Sequence, residues 1–195
     1  MNADLHITGD ADADALLSTD PLALLLGMLL DQQVPMETAF AGPAKLLERI
    51  GPAGAKKLDV KKIAEYDADE LEAVFRITPS IHRYPGSMAG RAQALAASVV
   101  ETWGGDVSAI WTQGDPEGAE ILKRLKALPG FGEQKAKIFL ALLGKQYGLT
   151  ADGWRESAGD YGLEGSYRSV ADIVDPESLT KVREFKKAAK AAAKK

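Results

Sequence analysis

Apolar side chains recur at helical spacing along most of the chain. One set follows an i, i+3, i+4, i+7, i+11 pattern through Ala92, Leu95, Ala96, Val99 and Trp103. Two further faces comprise Ile121, Leu122, Leu125 and Leu128, and Ala136, Phe139, Leu140 and Leu143. The alternating pattern of β-strands is scarce. We therefore predict an all-α protein with helices near 21–33, 36–50, 59–65, 68–77, 88–103, 116–127, 133–146 and 176–190.

Local signals mark where several of these helices begin. Asp-Pro occurs at residues 20–21, 115–116 and 175–176, and each pair precedes an apolar-periodic stretch. An Asp side chain can accept the free N–H groups of a first turn, and Pro suits the first helical position. Asp67, with Glu70 three residues on, resembles a capping box. Pro43 is expected to interrupt or offset the second helix, because proline removes a backbone donor.

The ends of the chain and one internal segment differ from this helical body. Six glycines between Gly144 and Gly165 predict a loop-rich crossing. Residues 1–14 are acidic and are expected to be mobile. The Lys/Ala tail after Phe185 is expected to be either a helix or a disordered basic arm.

Length and composition restrict the class of protein. With 195 residues, 46% of them hydrophobic, the chain is expected to form one domain or two small lobes that share a core. The absence of cysteine excludes disulfides, thiolate zinc sites and iron–sulfur clusters, and it fits a reducing cytoplasm. The apolar run Leu22–Leu30 is shorter than the roughly 20 residues of a membrane span. An acidic start is also atypical of a signal peptide. A cytoplasmic protein, nucleoid-associated if bacterial, is the expectation.

The net charge of −4 is unevenly distributed. Residues 181–195 carry +6, and the remaining 180 residues carry −10. This balance argues against a general nucleic-acid coat protein, but a small basic patch can still bind DNA, because binding depends on the local field. The tail can make sliding contacts to DNA or be an inert solvated terminus.

The segment Leu128-Pro129-Gly130-Phe131-Gly132 carries the most functional information. Gly130 and Gly132 allow a tight turn with unusual φ/ψ angles, and the next helix begins with free N–H groups that can hold a phosphate. Residues 121–137 total +4, from five basic side chains (Lys123, Arg124, Lys126, Lys135 and Lys137) and Glu133. We interpret the turn as a grip on a DNA backbone phosphate. The alternative is an ordinary helical hairpin with solvated lysines.

Two segments resemble a known family. Residues 128–136, Leu-Pro-Gly-Phe-Gly-Glu-Gln-Lys-Ala, resemble the helix-hairpin-helix of the HhH-GPD superfamily of base-excision DNA glycosylases. Residues 29–34, Leu-Leu-Asp-Gln-Gln-Val, look like the family's early helix end, most of all in its alkylpurine branch. The missing cysteines exclude the iron–sulfur cluster of other branches. With the order of helices, the resemblance covers about residues 20–155.

The resemblance implies two helical lobes with the active-site cleft between them. Residues 1–195 would be a single glycosylase unit. Residues 30–128 approximate the helical-barrel lobe, which contains the start of the helix-hairpin-helix at 116–146. Residues 1–29 and 147–195 approximate the second lobe, with a mobile basic tail at 186–195.

Asp152 occupies the place where the family has its catalytic aspartate, 20 residues after Gly132. Breaking an N-glycosidic bond builds positive charge on the sugar, which a fixed carboxylate stabilises, and the same group can activate water. The alternative is a loop Asp that forms a turn. The family continues from this Asp into a His/aromatic helix start, whereas Gly153-Trp154-Arg155 opens a Gly-rich loop here. Glu156 and Asp160 are the substitutes.

The resemblance also assigns DNA contacts and the reaction type. The expected DNA-binding residues are Gly130, Phe131, Gly132, Gln134, Lys135 and Lys137, together with Gln33, which would enter the gap left by a flipped nucleotide. Bifunctional members have a nucleophilic Lys where this chain has Gln134. Lys135 lies about 100° further around the helix and is expected to face elsewhere. We therefore predict a monofunctional enzyme that uses water.

The remaining candidates are a base pocket and a cation. A flipped base is read by stacking and edge hydrogen bonds, and the candidates for its pocket are Trp154, Tyr84, His82 and Trp111, each of which can instead be core or loop packing. The two His lie near no acidic cluster, so no metal site and no cofactor are expected. The family's hairpin can hold a monovalent cation through backbone carbonyls.

The sequence thus predicts a monomeric DNA glycosylase that acts on duplex DNA containing a damaged or mismatched base. The pattern Gln32-Gln33-Val34 favours alkylated purines. The alternative is a non-catalytic helix-hairpin-helix module that binds DNA while Asp152 is idle.

Overall fold

A computed structural model describes residues 3–194, and within that range the chain is helical and contains no β-strand. This confirms the all-α prediction. The α-helices are α1 (Ala11–Thr19), α2 (Pro21–Leu30), α3 (Met36–Ile50), α4 (Val60–Glu65), α5 (Ala68–Arg76), α6 (Pro85–Trp103), α7 (Ala109–Thr112), α8 (Gly118–Lys126), α9 (Glu133–Gln146), α10 (Trp154–Ser157) and α11 (Pro176–Ala192). Two 3₁₀ turns lie at Gly159–Gly162 and Val170–Asp172.

The N-terminal segment packs against the body of the protein. Leu5 and Ile7 are fully buried. The carboxylate of Asp14 accepts the N–H groups of Ile7 and Thr8, and Asp10 caps α1 by accepting the N–H of Ala13. The expected mobility of residues 1–14 is therefore wrong for residues 3–14, because the acidic side chains satisfy backbone donors. Residues 1 and 2 lie outside the described residues.

Helix α2 forms the centre of the core. Every residue from Leu22 to Leu30 is buried, and α2 packs against α1, α3, α6 and α9. The predicted cap at Asp20 is confirmed, since its carboxylate accepts the N–H of Leu22 at 3.0 Å and also that of Leu58 at 2.8 Å. One buried carboxylate thus starts the helix and fixes the loop before α4.

Helix α3 has the predicted bounds, but Pro43 does not interrupt it. Pro43 is buried, and its ring lines a small apolar gap. The gap is completed by Leu26, Leu30, Gly42, Leu46, Phe75, Ile81 and Ala92. The helix continues because burial of the ring against these side chains offsets the missing backbone bond.

Helices α8 and α9 form the predicted hairpin. Helix α8 begins at Gly118, and its N-cap, Glu117, makes no side-chain cap. Asp115 has φ +49° and caps nothing, so the start expected at residues 115–116 is wrong. Asp175 does cap its helix, by accepting the N–H of Ser178 at 2.7 Å.

The C-terminal region is attached to α9 by a buried ion pair. Lys145 Nζ lies 2.5 Å from Asp172 Oδ1, and both side chains are largely shielded from solvent. Helix α11 then runs to Ala192, so the basic tail is helical over most of its length. Within residues 3–194, no single helix is long and apolar enough to cross a membrane. Helices α1 and α2 would reach that length only together, and a 114° bend separates them.

Candidate nucleic-acid interface

A cleft of about 910 Å³ lies where the turn after α2, the start of α9 and the side of α11 meet. We call it the basic cleft. It is lined by Met28, Asp31, Gln32, Gln33, Val34, Pro35, Arg83, Gln134, Lys135, Ile138, Lys186 and Lys190. The cleft therefore brings together three of the predicted DNA-binding residues, Gln33, Gln134 and Lys135, from segments about 100 residues apart.

The hairpin turn packs directly on the end of α2. Gly130 has φ +82°, and a Cβ atom there would lie 2.5 Å from Cδ1 of Leu29, which is fully buried. Gly132 has φ −80°, so only one of the two glycines adopts the left-handed conformation. A Cβ at Gly132 would meet nothing within 4 Å. Gly130 thus serves packing, whereas Gly132 leaves the outer surface of the turn open.

Lys135 lies in the basic cleft, which corrects the expectation that it faces elsewhere. Its Nζ donates to the carbonyl of Leu29 at 2.7 Å and lies 3.5 Å from Oε1 of Gln32. Burial lowers the pKa of Lys135 to about 8, against the opposing effect of the Asp31 charge. Lys135 does lie one position further around α9 than Gln134, but the start of α9 lies against α2, so both side chains reach the cleft.

Gln33 occupies a backbone conformation that is unusual for its side chain. Its φ is +57°, and it is exposed at the mouth of the cleft. A non-glycine residue in the left-handed region is uncommon, and such residues concentrate at functional sites. The turn thus holds an exposed amide at the edge of the basic cleft in a strained backbone conformation.

His82 fixes the turn that carries Gln33. It is buried, and its Nε2 lies 3.1 Å from the carbonyls of both Leu30 and Gln32, while its Nδ1 accepts the N–H of Tyr84. This arrangement requires a neutral ring with the proton on Nε2, and burial correspondingly lowers the pKa of His82. His82 therefore has a structural role at the cleft rather than an exposed place in a base pocket.

Of the other hairpin candidates, Phe131 and Lys137 are placed less favourably for DNA than Gln134, which lines the cleft. The Phe131 side chain is buried edge-to-face against Phe139, so only its backbone can reach a ligand. Lys137 pairs with Glu133 at 3.3 Å and does not line the cleft. Gln134 donates to the hydroxyl of Tyr161 at 3.0 Å.

Asp152 lies elsewhere. It is exposed, and it lines a second cavity of about 520 Å³ beyond the C-terminal end of α9, which we call the acidic pocket. That pocket is lined by Trp111, Thr112, Asp115, Pro116, Glu117, Tyr147, Gly148, Leu149, Thr150, Ala151 and Asp152. Helix α9 is 14 residues long, which separates its ends by about 20 Å.

The acidic pocket is a poor place for a polyanion. Its lining includes three carboxylates, Asp115, Glu117 and Asp152, and these described lining residues include no Lys or Arg. Like charges repel a phosphate backbone, whereas the basic cleft attracts it. The structure therefore separates the predicted catalytic residue from the predicted DNA contacts.

The aromatic candidates are also dispersed. Trp111 is buried at the acidic pocket and packs against Phe139. Trp154 lies in a notch at Gly144, where a Cβ would come within 2.4 Å of its ring. Tyr84 is 42% exposed beside His82 and under the guanidinium of Arg83. These side chains do not form one base pocket. The substitutes Glu156 and Asp160 are exposed and line neither cavity.

Sequence reasoning missed Asp31, the residue after the last turn of α2. Its side chain is only 8% exposed, and it faces the basic cleft. An acid directly after nine apolar helical residues was the available signal, but it carries no indication of burial.

Comparison with protein-family models gives no match for this chain, and comparison with curated proteins gives none either.

Proposed function

We propose that the chain is a base-excision DNA glycosylase that binds duplex DNA in the basic cleft and hydrolyses the N-glycosidic bond of a flipped, damaged base. In this proposal the cleft lies between the two helical lobes of an HhH-GPD fold. The observation that carries the proposal is the meeting of Gln33 with Gln134 and Lys135 in one cleft.

The charge of the cleft supports DNA as the ligand. Four cationic side chains line it, Arg83, Lys135, Lys186 and Lys190, against the single carboxylate of Asp31 among the described lining residues. Lys186 and Lys190 are four residues apart on α11, so they lie on one face of that helix. A row of cations beside a hairpin with an open glycine surface is suited to bind a phosphate backbone.

The proposed reaction is hydrolysis with water as the nucleophile. Water attacks C1′ of the sugar, the C1′–N bond breaks with its electron pair going to the base, and the proton that the water loses is accepted by a carboxylate and passes to the released base or to solvent. Lys135 is held by Leu29 and Gln32, so the proposal keeps a monofunctional, water-using reaction. Alkylated purines are the proposed substrate class, on the resemblance of residues 29–34.

A second candidate is the non-catalytic DNA-binding module. The observation that favours it is the exposed position of Asp152 in the acidic pocket, away from the DNA contacts.

A panel of duplexes separates the two candidates. The duplexes would carry an alkylated purine, uracil, oxidised guanine or a mismatched adenine, and base release would be followed under single-turnover conditions. We expect release of the alkylated purine. We also expect that borohydride treatment traps no covalent adduct between the protein and an abasic duplex. Binding to the panel without release of any base would favour the module, and an adduct lost on Lys135→Ala would refute the monofunctional reaction.

A further inference from the structure

Asp31 is the described carboxylate that faces the basic cleft, and it lies next to the residues that would handle DNA. It follows the last residue of α2, and Gln32 and Gln33 come directly after it. Its side chain is 8% exposed, so its remaining access is toward the cleft. The inference below rests on the proposed glycosylase function.

Charged groups from three helices face Asp31. Lys186 of α11 places its Nζ 3.7 Å from Oδ2, and Lys135 of α9 contributes a second positive charge. Glu37 of α3 contributes a negative charge and is itself paired with Arg183. The two carboxylates are thus balanced by three cations.

The backbone around Asp31 is fixed from both sides. His82 binds the carbonyls of Leu30 and Gln32, and Lys135 binds that of Leu29. The N–H of Asp31 itself bonds to the carbonyl of Met28. A carboxylate on a fixed backbone needs little reorientation when positive charge develops beside it, so the free-energy cost of reorganisation is small.

Burial raises the pKa of Asp31, while the charges of Lys186 and Lys135 oppose the rise. A carboxyl group with a raised pKa is a stronger base when ionised, and it titrates closer to neutral pH. In the pH–rate profile of any reaction that needs the ionised carboxylate, the fall in rate toward acid pH should therefore lie above the usual pKa range of Asp.

We propose that Asp31, rather than Asp152, is the carboxylate that stabilises the oxocarbenium-like sugar and accepts a proton from the attacking water in the basic cleft. The water oxygen bonds to C1′, its proton moves to the Asp31 carboxylate, and the released base carries the electron pair of the broken C1′–N bond. Asp31 then passes the proton to the released base or to solvent, so water is the sole co-reactant. Asp152 lies in a pocket whose carboxylates repel DNA.

The test compares two matched isosteric variants, Asp31→Asn and Asp152→Asn. Single-turnover release of an alkylated purine from a duplex is the activity, and affinity for a duplex with a tetrahydrofuran abasic analogue is the binding control. We expect Asp31→Asn to slow release by at least about 100-fold with affinity changed less than about twofold. Asp152→Asn should change neither.

The outcomes separate this assignment from the proposed function. If Asp152→Asn abolishes release and Asp31→Asn does not, the assignment to Asp31 is overturned and the glycosylase stands. If the wild-type protein binds the analogue but releases no base, the proposed function fails and the assignment fails with it.

A second measurement covers the case in which Asp31→Asn does not fold. The pH profile of release by the wild-type protein should show an acid limb above about pH 4, and Asp31→Glu should retain part of the activity with that limb displaced. A profile that is flat down to about pH 4, or identical in Asp31→Glu, would overturn the assignment. A purely structural ion pair would not move this limb.

Discussion

Replacement of Gly130 by alanine tests whether the hairpin is packed on α2 as described. The residue has φ +82°, and the left-handed region costs an L residue with a Cβ about 1–2 kcal/mol. The new Cβ would also lie 2.5 Å from Cδ1 of Leu29, about 1 Å inside normal contact. Leu29 is fully buried and has little room to move, and overpacking of this kind costs about 1–3 kcal/mol.

The expected loss of unfolding free energy is therefore about 2–5 kcal/mol. For a chain of this length that lowers Tm by roughly 4–20 °C. Thermal and urea unfolding, followed by circular dichroism at 222 nm, would measure it.

Gly132→Ala is the matched control in the same turn. Gly132 has φ −80°, and a Cβ there meets nothing within 4 Å, so stability should change by less than about 0.5 kcal/mol. The added methyl lies on the outer surface of the turn, so this variant should instead weaken binding to duplex DNA. If Gly130→Ala and Gly132→Ala were equally stable, the packing argument would be refuted.

Three further variants test other parts of the structure. Lys145→Met leaves the buried carboxylate of Asp172 without its cation and should lower the free energy of unfolding, measured in urea, by about 3 kcal/mol. Lys137→Met removes a more exposed ion pair and should cost less than about 1 kcal/mol. Equal losses would contradict the burial argument. Gln33→Gly removes the strain of a left-handed φ and should raise the free energy of unfolding by about 1 kcal/mol. The same variant should lose part of the preference for abasic over intact duplex. A loss of stability would show that the Gln33 side chain, not the backbone strain, decides the stability of the turn. The pKa of Lys135 in the folded protein is about 8 against 10.5 when unfolded, so between these values the unfolded state binds more protons and stability rises with pH. Urea unfolding should therefore show the wild-type protein gaining stability relative to Lys135→Met from about pH 8 to 10.5, and parallel pH profiles would refute the burial of the ammonium.

Periodicity predicted most of the helices because their faces bury locally regular sets of side chains. The bounds of α3 and α9 agree with the pattern, and Asp20, Asp67 and Asp175 cap their helices as their types suggested. Helix α1 was not predicted, because it is held by the Asp14 carboxylate, which accepts the backbone N–H groups of residues 7 and 8, a contact that no spacing rule reveals.

The candidate site was only partly predictable. The residue types at Gln33 and Gln134 indicated the surface, and the structure brings them into one cleft. The direction of Lys135 depends on how α9 lies against α2, and the place of Asp152 depends on the path after Gln146. Both are tertiary relations between distant segments. The burial of Asp31 is of the same kind, since charged side chains of α3, α9 and α11 lie near it.

The contact between Gly130 and Leu29 has a geometric consequence for any duplex that binds. The turn that would hold a phosphate and the turn that carries Gln33 are joined through Leu29, by packing on one side and by the Lys135 hydrogen bond on the other. Under the proposed function, the distance between the bound phosphate and the base step at Gln33 would be set by the protein and not by the DNA. The two turns would fix this spacing, so the strand would have to slide until a deformable base step reached Gln33.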